Sequence, residues 1–196
     1  MINIKDINDN VISRRIKERY EKLSDESKEK LAQADNLELA DYQLRVIKKS
    51  RQYPEVGDIF ELKASDGTTL QGIVLSNHVN NNNGEDLICV VIFRENIDVM
   101  EILEKKIEDY IIFPPFILGK QYWTRGFFNT IGHFSGIINF KEYGFYSIGK
   151  GKFLDEYGIE LKKEPRICGT YGVSTINGVA MEITRELIIL RNENFS

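Results

Sequence analysis

Cysteine is nearly absent from this chain: Cys89 and Cys168 are the only two in 196 residues, too few for the disulfide framework of a small secreted domain. No Cys-x-x-Cys or His-x-x-x-His spacing occurs, and the two histidines, His78 and His133, stand far apart. A tetrahedral zinc site normally draws paired ligands from one turn or helix, so neither a metal nor a cofactor is expected. Long hydrophobic runs are missing too. The longest, "LICVVIF" at residues 87–93, is strand-sized and well short of the roughly 20 residues of a membrane helix. Residues 1–10 mix acids and amides without an apolar stretch, so no signal peptide is expected, and the cytoplasm is the expected location. Excess basic charge is also lacking. The 26 Lys and Arg face 30 Asp and Glu, a net of −4, which speaks against a nucleic-acid-binding protein. The balance is uneven: residues 1–52 hold twelve basic and ten acidic residues, residues 53–196 fourteen and twenty. An acidic C-terminal part suits a basic partner through electrostatic steering, and solubility alone accounts for it equally well.

What is present divides the chain near residue 53. Before it, Val11, Ile12, Ile16, Tyr20 and Leu23 recur at three and four residues and paint one helical stripe. Ser24 reads as an N-cap with Asp25 and Glu26 behind it, and Asp35 or Asn36 as the cap of a third helix through Leu37, Leu39, Leu44, Val46 and Ile47. From Pro54 the period switches to two. Ile59, Glu61 and Lys63 alternate with Phe60, Leu62 and Ala64, Asp66-Gly67 signals a hairpin, and a second arm runs through Leu70, Gly72 and Val74. The polar "NHVNNNNGED" reads as a tight turn or a mobile loop tip, and "LICVVIF" as a central strand. Asp98 caps a short predicted helix, and "YIIFPPFI" reads as a strand stopped by Pro114-Pro115. Aromatics and glycines crowd residues 122–146, as in twisted strands, and "GVAMEITRELIIL" leans towards a closing helix through Met181, Ile183, Leu187 and Ile188. The expectation is an α+β protein with a helical N-terminal segment (1–52) and a second unit (53–196) built on a strongly bent, mainly antiparallel sheet, barrel-like at the limit.

Chemistry-bearing constellations are sparse. His133 in "TIGHFSG" is framed by aromatic and glycine residues, and a strand histidine satisfied by a neighbouring carbonyl outweighs a catalytic base there. A hydrolase pairing His133 with Cys168 or an acid ranks last. The carboxylate pairs Glu85 and Asp86, Glu101 and Glu104, and Asp155 and Glu156 read as solvated faces. "GKGK" at residues 149–152 reads as a hairpin loop rather than a phosphate cradle. The aromatics of residues 122–146 are a core set, of which Trp123 is the one to anchor a protein partner. The same stretch is the natural lining for the pocket of a ligand- or peptide-binding module.

The order "YPEVGDIFELKASDGTTLQGIVL", "LICVVIF", "YIIFPPFI", "YWTRGFFNTIG", "FKEYGFYSIG" resembles the immunity protein 26 family of bacterial polymorphic toxin systems, over roughly residues 53–190. The resemblance rests on Pro54, Gly57, Asp58, Phe60, Gly72 and Trp123, which read as fold residues rather than as a binding footprint. It implies a non-enzymatic bacterial protein that binds and neutralises a cognate protein toxin, with no catalytic residues to carry over. The toxin-facing residues expected from it lie on exposed acidic loops, at Glu85, Asp86, Asp155 and Glu156.

Overall fold

The computed structural model describes residues 9–193 other than Glu104, Lys106 and Lys141. The expected pair of Glu101 with Glu104 thus falls partly outside the described residues. The N-terminal segment forms helices α1 (Val11–Glu21) and α2 (Asp25–Ala34), then a single turn α3 (Leu39–Tyr42). Ser24 caps α2 as expected, its side chain accepting from the Ser27 amide. The third predicted helix is corrected: Glu38 is its cap, Gln43 turns to extended backbone, and Arg45 bridges to Lys63. Pairing with a strand outweighs a modest helical stripe there.

A five-stranded antiparallel sheet follows, in the order β4-β3-β2-β1-β5. Its strands are β1 (Asp58–Lys63), β2 (Thr69–Asn81), β3 (Gly84–Ile92), β4 (Phe116–Leu118) and β5 (Phe128–His133). A second sheet of β6 (Tyr143–Ser147), β7 (Lys152–Leu154) and β8 (Ile167–Thr170) runs β7-β6-β8, with β6 and β8 parallel. The architecture is α+β and mainly antiparallel, but the large sheet closes no barrel: β4 and β5 are its two edges. The short helices α4 (Val99–Ile102, capped by Asp98) and α5 (Gln121–Thr124) connect strands, and α6 (Ile176–Asn192) closes the chain. Pro114-Pro115 does not end a strand as expected; it precedes β4, because proline donates no ladder hydrogen bond and sits best at a strand's start.

Both faces of the large sheet are covered, so its strands alternate between two cores. Phe60, Leu62, Leu70, Val74, Val90 and Phe128 pack on one side against Val179, Ala180, Ile183 and Leu187 of α6. Ile59, Ile73, Val91 and Phe93 pack on the other against Val99, Ile102 and Leu103. The small sheet docks through Phe145 onto Cys89, Val79 and Ile117. The buried stripe of α6 therefore runs through Ile176, Val179, Ala180, Ile183 and Leu187, and Met181 and Ile188 lie off it. No described helix is long and apolar enough to cross a membrane.

Candidate functional site

The stretch that opens β1 is a closed local circuit. The Glu55 amide donates to Asp58 Oδ2 (3.0 Å), the Asp58 amide donates to the Glu55 carbonyl (3.0 Å), and Pro54 offers its carbonyl to the Asn77 side chain. Gly57 holds φ at +91°, and a Cβ there would meet the Phe134 carbonyl oxygen at 2.3 Å. Gly72 faces Phe60 across the strand pair, with Phe60 filling the space a Cβ would need. Trp123 is buried and donates its indole N–H to Thr130 Oγ1 at 3.1 Å. This corrects its assignment as a partner anchor, because a ring stacked edge-on against Phe60 and Phe128 offers nothing to a surface. Tyr122, Phe127, Phe128, Phe140 and Phe145 are buried as well, so most of the aromatic stretch is core, and its 133–138 portion borders a cavity.

Asp58 has a further partner that sequence reasoning missed. Its Oδ1 lies 2.9 Å from His133 Nδ1, across the β1–β5 pair. The carboxylate is buried and the imidazole is 43% exposed. The strand histidine is thus satisfied by a carboxylate 75 positions away. Cys168 does not join it. That thiol is buried, desolvation lifts it to about 11 despite the opposing influence of Arg15, and it lines a different cavity from His133.

The four expected acidic residues meet at one end of the molecule, in unequal roles. The asparagine-rich run is ordered rather than a loose tip. Asn80 Oδ1 accepts the Asp86 amide (2.9 Å), Asn81 Oδ1 accepts the Asn83 amide (2.8 Å), and Asn81 Nδ2 donates to the Glu156 carbonyl (2.8 Å). This last bond ties the β2–β3 hairpin to the loop after β7. Along the hairpin the pairing shifts register three times, between Val74 and Asn81, and two non-glycine residues adopt left-handed backbone: His78 at φ +49° and Asp86 at +54°. Such conformations cost about 1–3 kcal/mol and persist where surroundings over-determine them. Here His78 stacks on Tyr53 at 4.5 Å and bonds Asp86 through Nδ1 at 2.8 Å, while the Tyr53 hydroxyl donates to the Asp86 carbonyl at 2.8 Å. Burial, ahead of the nearby Asp86 charge, lifts the Tyr53 hydroxyl above its usual range.

Glu85 and Asp86 are exposed on this hairpin. Asp155 and Glu156 are not free in the same way. Asp155 Oδ1 accepts the amides of Tyr157 and Ile159 and shapes the loop. Glu156 Oε1 accepts from Ser76 Oγ (2.5 Å) and from the Tyr143 hydroxyl (2.9 Å), pinning the small sheet to the large one. Both are half-buried, and each uses one carboxylate oxygen to hold the loop, so a structural role stands beside the expected toxin-facing one. The loop also presents Tyr157, 47% exposed, and Ile159, 65% exposed.

A second feature is a groove of about 710 Å³ beneath α1. The predicted apolar stripe of α1 buries only its distal Leu23: Ile16 and Tyr20 are exposed, and the helix itself buries no residue. Two arginines hold it instead. Arg15 pairs with Glu164, and Arg19 grips the buried Glu186 carboxylate with both terminal nitrogens, which raises the guanidinium pKa. Glu182 lines the same groove, and its carboxyl is raised above the ordinary 4.5 by desolvation and by the neighbouring Glu186 charge, against the smaller effects of Arg185 and Arg19. A raised carboxyl weighs against the fold once ionised. Its contribution is intact below pH 4.5 and is lost as pH rises through the higher folded-state value. The Glu182 side chain is solvent-exposed, so screening keeps the effect small: Glu182→Gln raises the melting temperature slightly at pH 7.5, with the gain vanishing as pH falls to 4.5, which thermal melts at the two pH values check.

Comparison of the chain with protein-family models, curated proteins and solved structures gives no match.

Proposed function

We propose that this chain is an immunity protein of the immunity protein 26 type, which binds a cognate bacterial toxin in the cytoplasm and neutralises it by occlusion, without catalysis. The observation that supports this reading best is the locked end of the molecule. There, exposed Glu85 and Asp86 lie on a hairpin that Asn81 fastens to the loop presenting exposed Tyr157 and Ile159. Tight association depends on surfaces that lose little freedom on binding, and aromatic anchors next to like charges suit a basic partner. The strained His78 and Asp86 backbone, held by the Tyr53 stack, fits a surface ordered before its partner arrives.

The test is co-expression with the toxin domain encoded beside this gene. Growth protection and co-elution of the two chains as a stoichiometric complex are the expected results. Full toxicity in the presence of folded protein, with no complex on the column, overturns the proposal.

A further inference from the structure

Acidic residues are spread along most of this chain, and two stretches lack them. Residues 42–54 hold Arg45, Lys48, Lys49 and Arg51 with no Asp or Glu, and residues 110–140 hold Lys120 and Arg125 with none. The fold lays one stretch against the other. The Ile47 and Lys48 amides donate to the Gly126 carbonyl at 2.7 and 3.3 Å, and the Ser50 amide donates to the Trp123 carbonyl at 3.0 Å. Gly126 permits this close approach: its φ is +86°, and a Cβ there would lie 3.0 Å from the Lys48 carbonyl carbon and from the Lys49 nitrogen. Lys120 and Arg125 flank α5 at its two ends, and the run from Val46 to Arg51 spans at most about 20 Å.

Lys48, Lys49, Arg51, Lys120 and Arg125 are all exposed. Among the described residues none of these five makes an ion pair, whereas Arg15, Arg19, Arg185 and Arg191 are each matched by a carboxylate. On a molecule of net charge −4, unpaired cations gathered in one region make a local positive field, which orients the molecule towards an anionic partner.

The make-up of the surface selects that partner. Val46, 59% exposed, stands between Arg45 and Lys48. Tyr122, Trp123, Phe127 and Phe128 of the second stretch are buried, which leaves no platform for the base stacking that single-stranded nucleic acid relies on. None of the five cations lines the groove beneath α1 or the cavity at residues 133–138. Flexible cations around an exposed aliphatic side chain, outside either cleft, match the requirements of a charged lipid headgroup layer.

We propose that this cationic surface docks on a membrane surface rich in anionic phospholipid, with the lysine and arginine side chains at the lipid phosphates and Val46 at the boundary between headgroups and acyl chains. The contact is peripheral and reversible. It uses no residue of the acidic hairpin and does not rest on the toxin-binding proposal.

The full chain is titrated with vesicles of phosphatidylglycerol and phosphatidylcholine in equal parts and followed by cosedimentation. Vesicles of phosphatidylcholine alone and a polyuridine oligonucleotide are the comparisons. The expected result is binding to the anionic vesicles at least tenfold tighter than to either comparison, lost at about 0.5 M salt, where the Debye length falls to about 4 Å. Lys48→Glu combined with Lys49→Glu weakens binding by about thirtyfold or more, the scale of two surface cations. Val46→Ser weakens it by about threefold. Lys162→Glu combined with Lys163→Glu makes the same change of net charge at exposed lysines flanked by Glu160 and Glu164, and leaves binding within about twofold. Every substituted side chain is exposed, so the variants keep the fold, which circular dichroism checks. No binding to anionic vesicles at low salt, equal binding to neutral vesicles, tighter binding of the oligonucleotide, or an equal loss in the two double variants overturns the proposal.

Discussion

Under the proposed function, Glu85→Lys combined with Asp86→Asn is expected to weaken binding to the toxin by about a hundredfold or more, and with it growth protection. The double change moves the exposed end by three charge units while sparing the backbone. Asn is chosen at position 86 because φ is +54° there, a conformation that Asn tolerates and Lys does not. The Asn side-chain oxygen also preserves an acceptor for His78 Nδ1, which bonds Asp86 at 2.8 Å. Setting a lysine against a basic partner replaces attraction by repulsion, and like-charge juxtaposition at an interface costs several kcal/mol; about 2.7 kcal/mol suffices for a hundredfold. Most of the early loss falls on the association rate and shrinks with added salt, since both positions are solvent-exposed and screened. The melting temperature stays within about 2 °C, because exposed pairs contribute little to stability. Calorimetric titration at two salt concentrations, with a thermal melt of each variant, reads both parts.

Gly72→Ala is expected to destabilise the protein strongly through one methyl group. A Cβ at position 72 would lie 2.4 Å from Phe60 Cζ and 2.6 Å from the Val91 carbonyl oxygen. Neither can give way. Phe60 is wholly buried, stacked on Phe128 at 4.4 Å and edge-on to Trp123 at 5.4 Å, and Val91 belongs to β3, an interior strand paired on both sides. Overpacking of this kind costs about 3 kcal/mol, a fall of about 6–12 °C in melting temperature for a chain of this size. Pairing it with Phe60→Leu recovers part of the loss, because the two changes act on one contact. Gly132→Ala serves as the control: nothing lies within 4 Å of its Cβ, and the melting temperature should barely move.

These two positions also mark what the sequence made legible. The turn at residues 54–58 and the Phe60–Gly72 pairing were readable because they are local: proline and glycine set the turn, Asp58 accepts an amide three residues away, and a two-residue period places Phe60 inward. The closing helix α6 was readable from its period, and Ile183 and Leu187 of the expected set lie on its buried face while Met181 and Ile188 do not. The misreadings share a physical cause, in that partners distant along the chain decide the outcome. Arg45 pairs with Lys63 and ends a helical stripe early. The asparagine-rich run takes the tight-turn alternative at residues 82–83, while Asn77, Asn80 and Asn81 find remote or cross-turn partners that no local pattern shows. Trp123 satisfies its N–H on Thr130 and withdraws into the core. Asp58 and His133 are 75 residues apart and meet only because β5 adds to β1, so no local motif announces them. Glu156 looked like one more surface acid, and only the docking of the two sheets turns its carboxylate towards Ser76 and Tyr143.

The central claim is that the locked hairpin-and-loop end is the surface that meets the toxin. Hydrogen–deuterium exchange on the free chain and on its complex with the neighbouring toxin domain tests it most directly. Slowed exchange on complex formation is predicted at residues 78–87 and 155–160, with little change along β5 or in α1. Protection confined to β5, to α1 and its groove, or to no segment at all in a complex that demonstrably forms would contradict it.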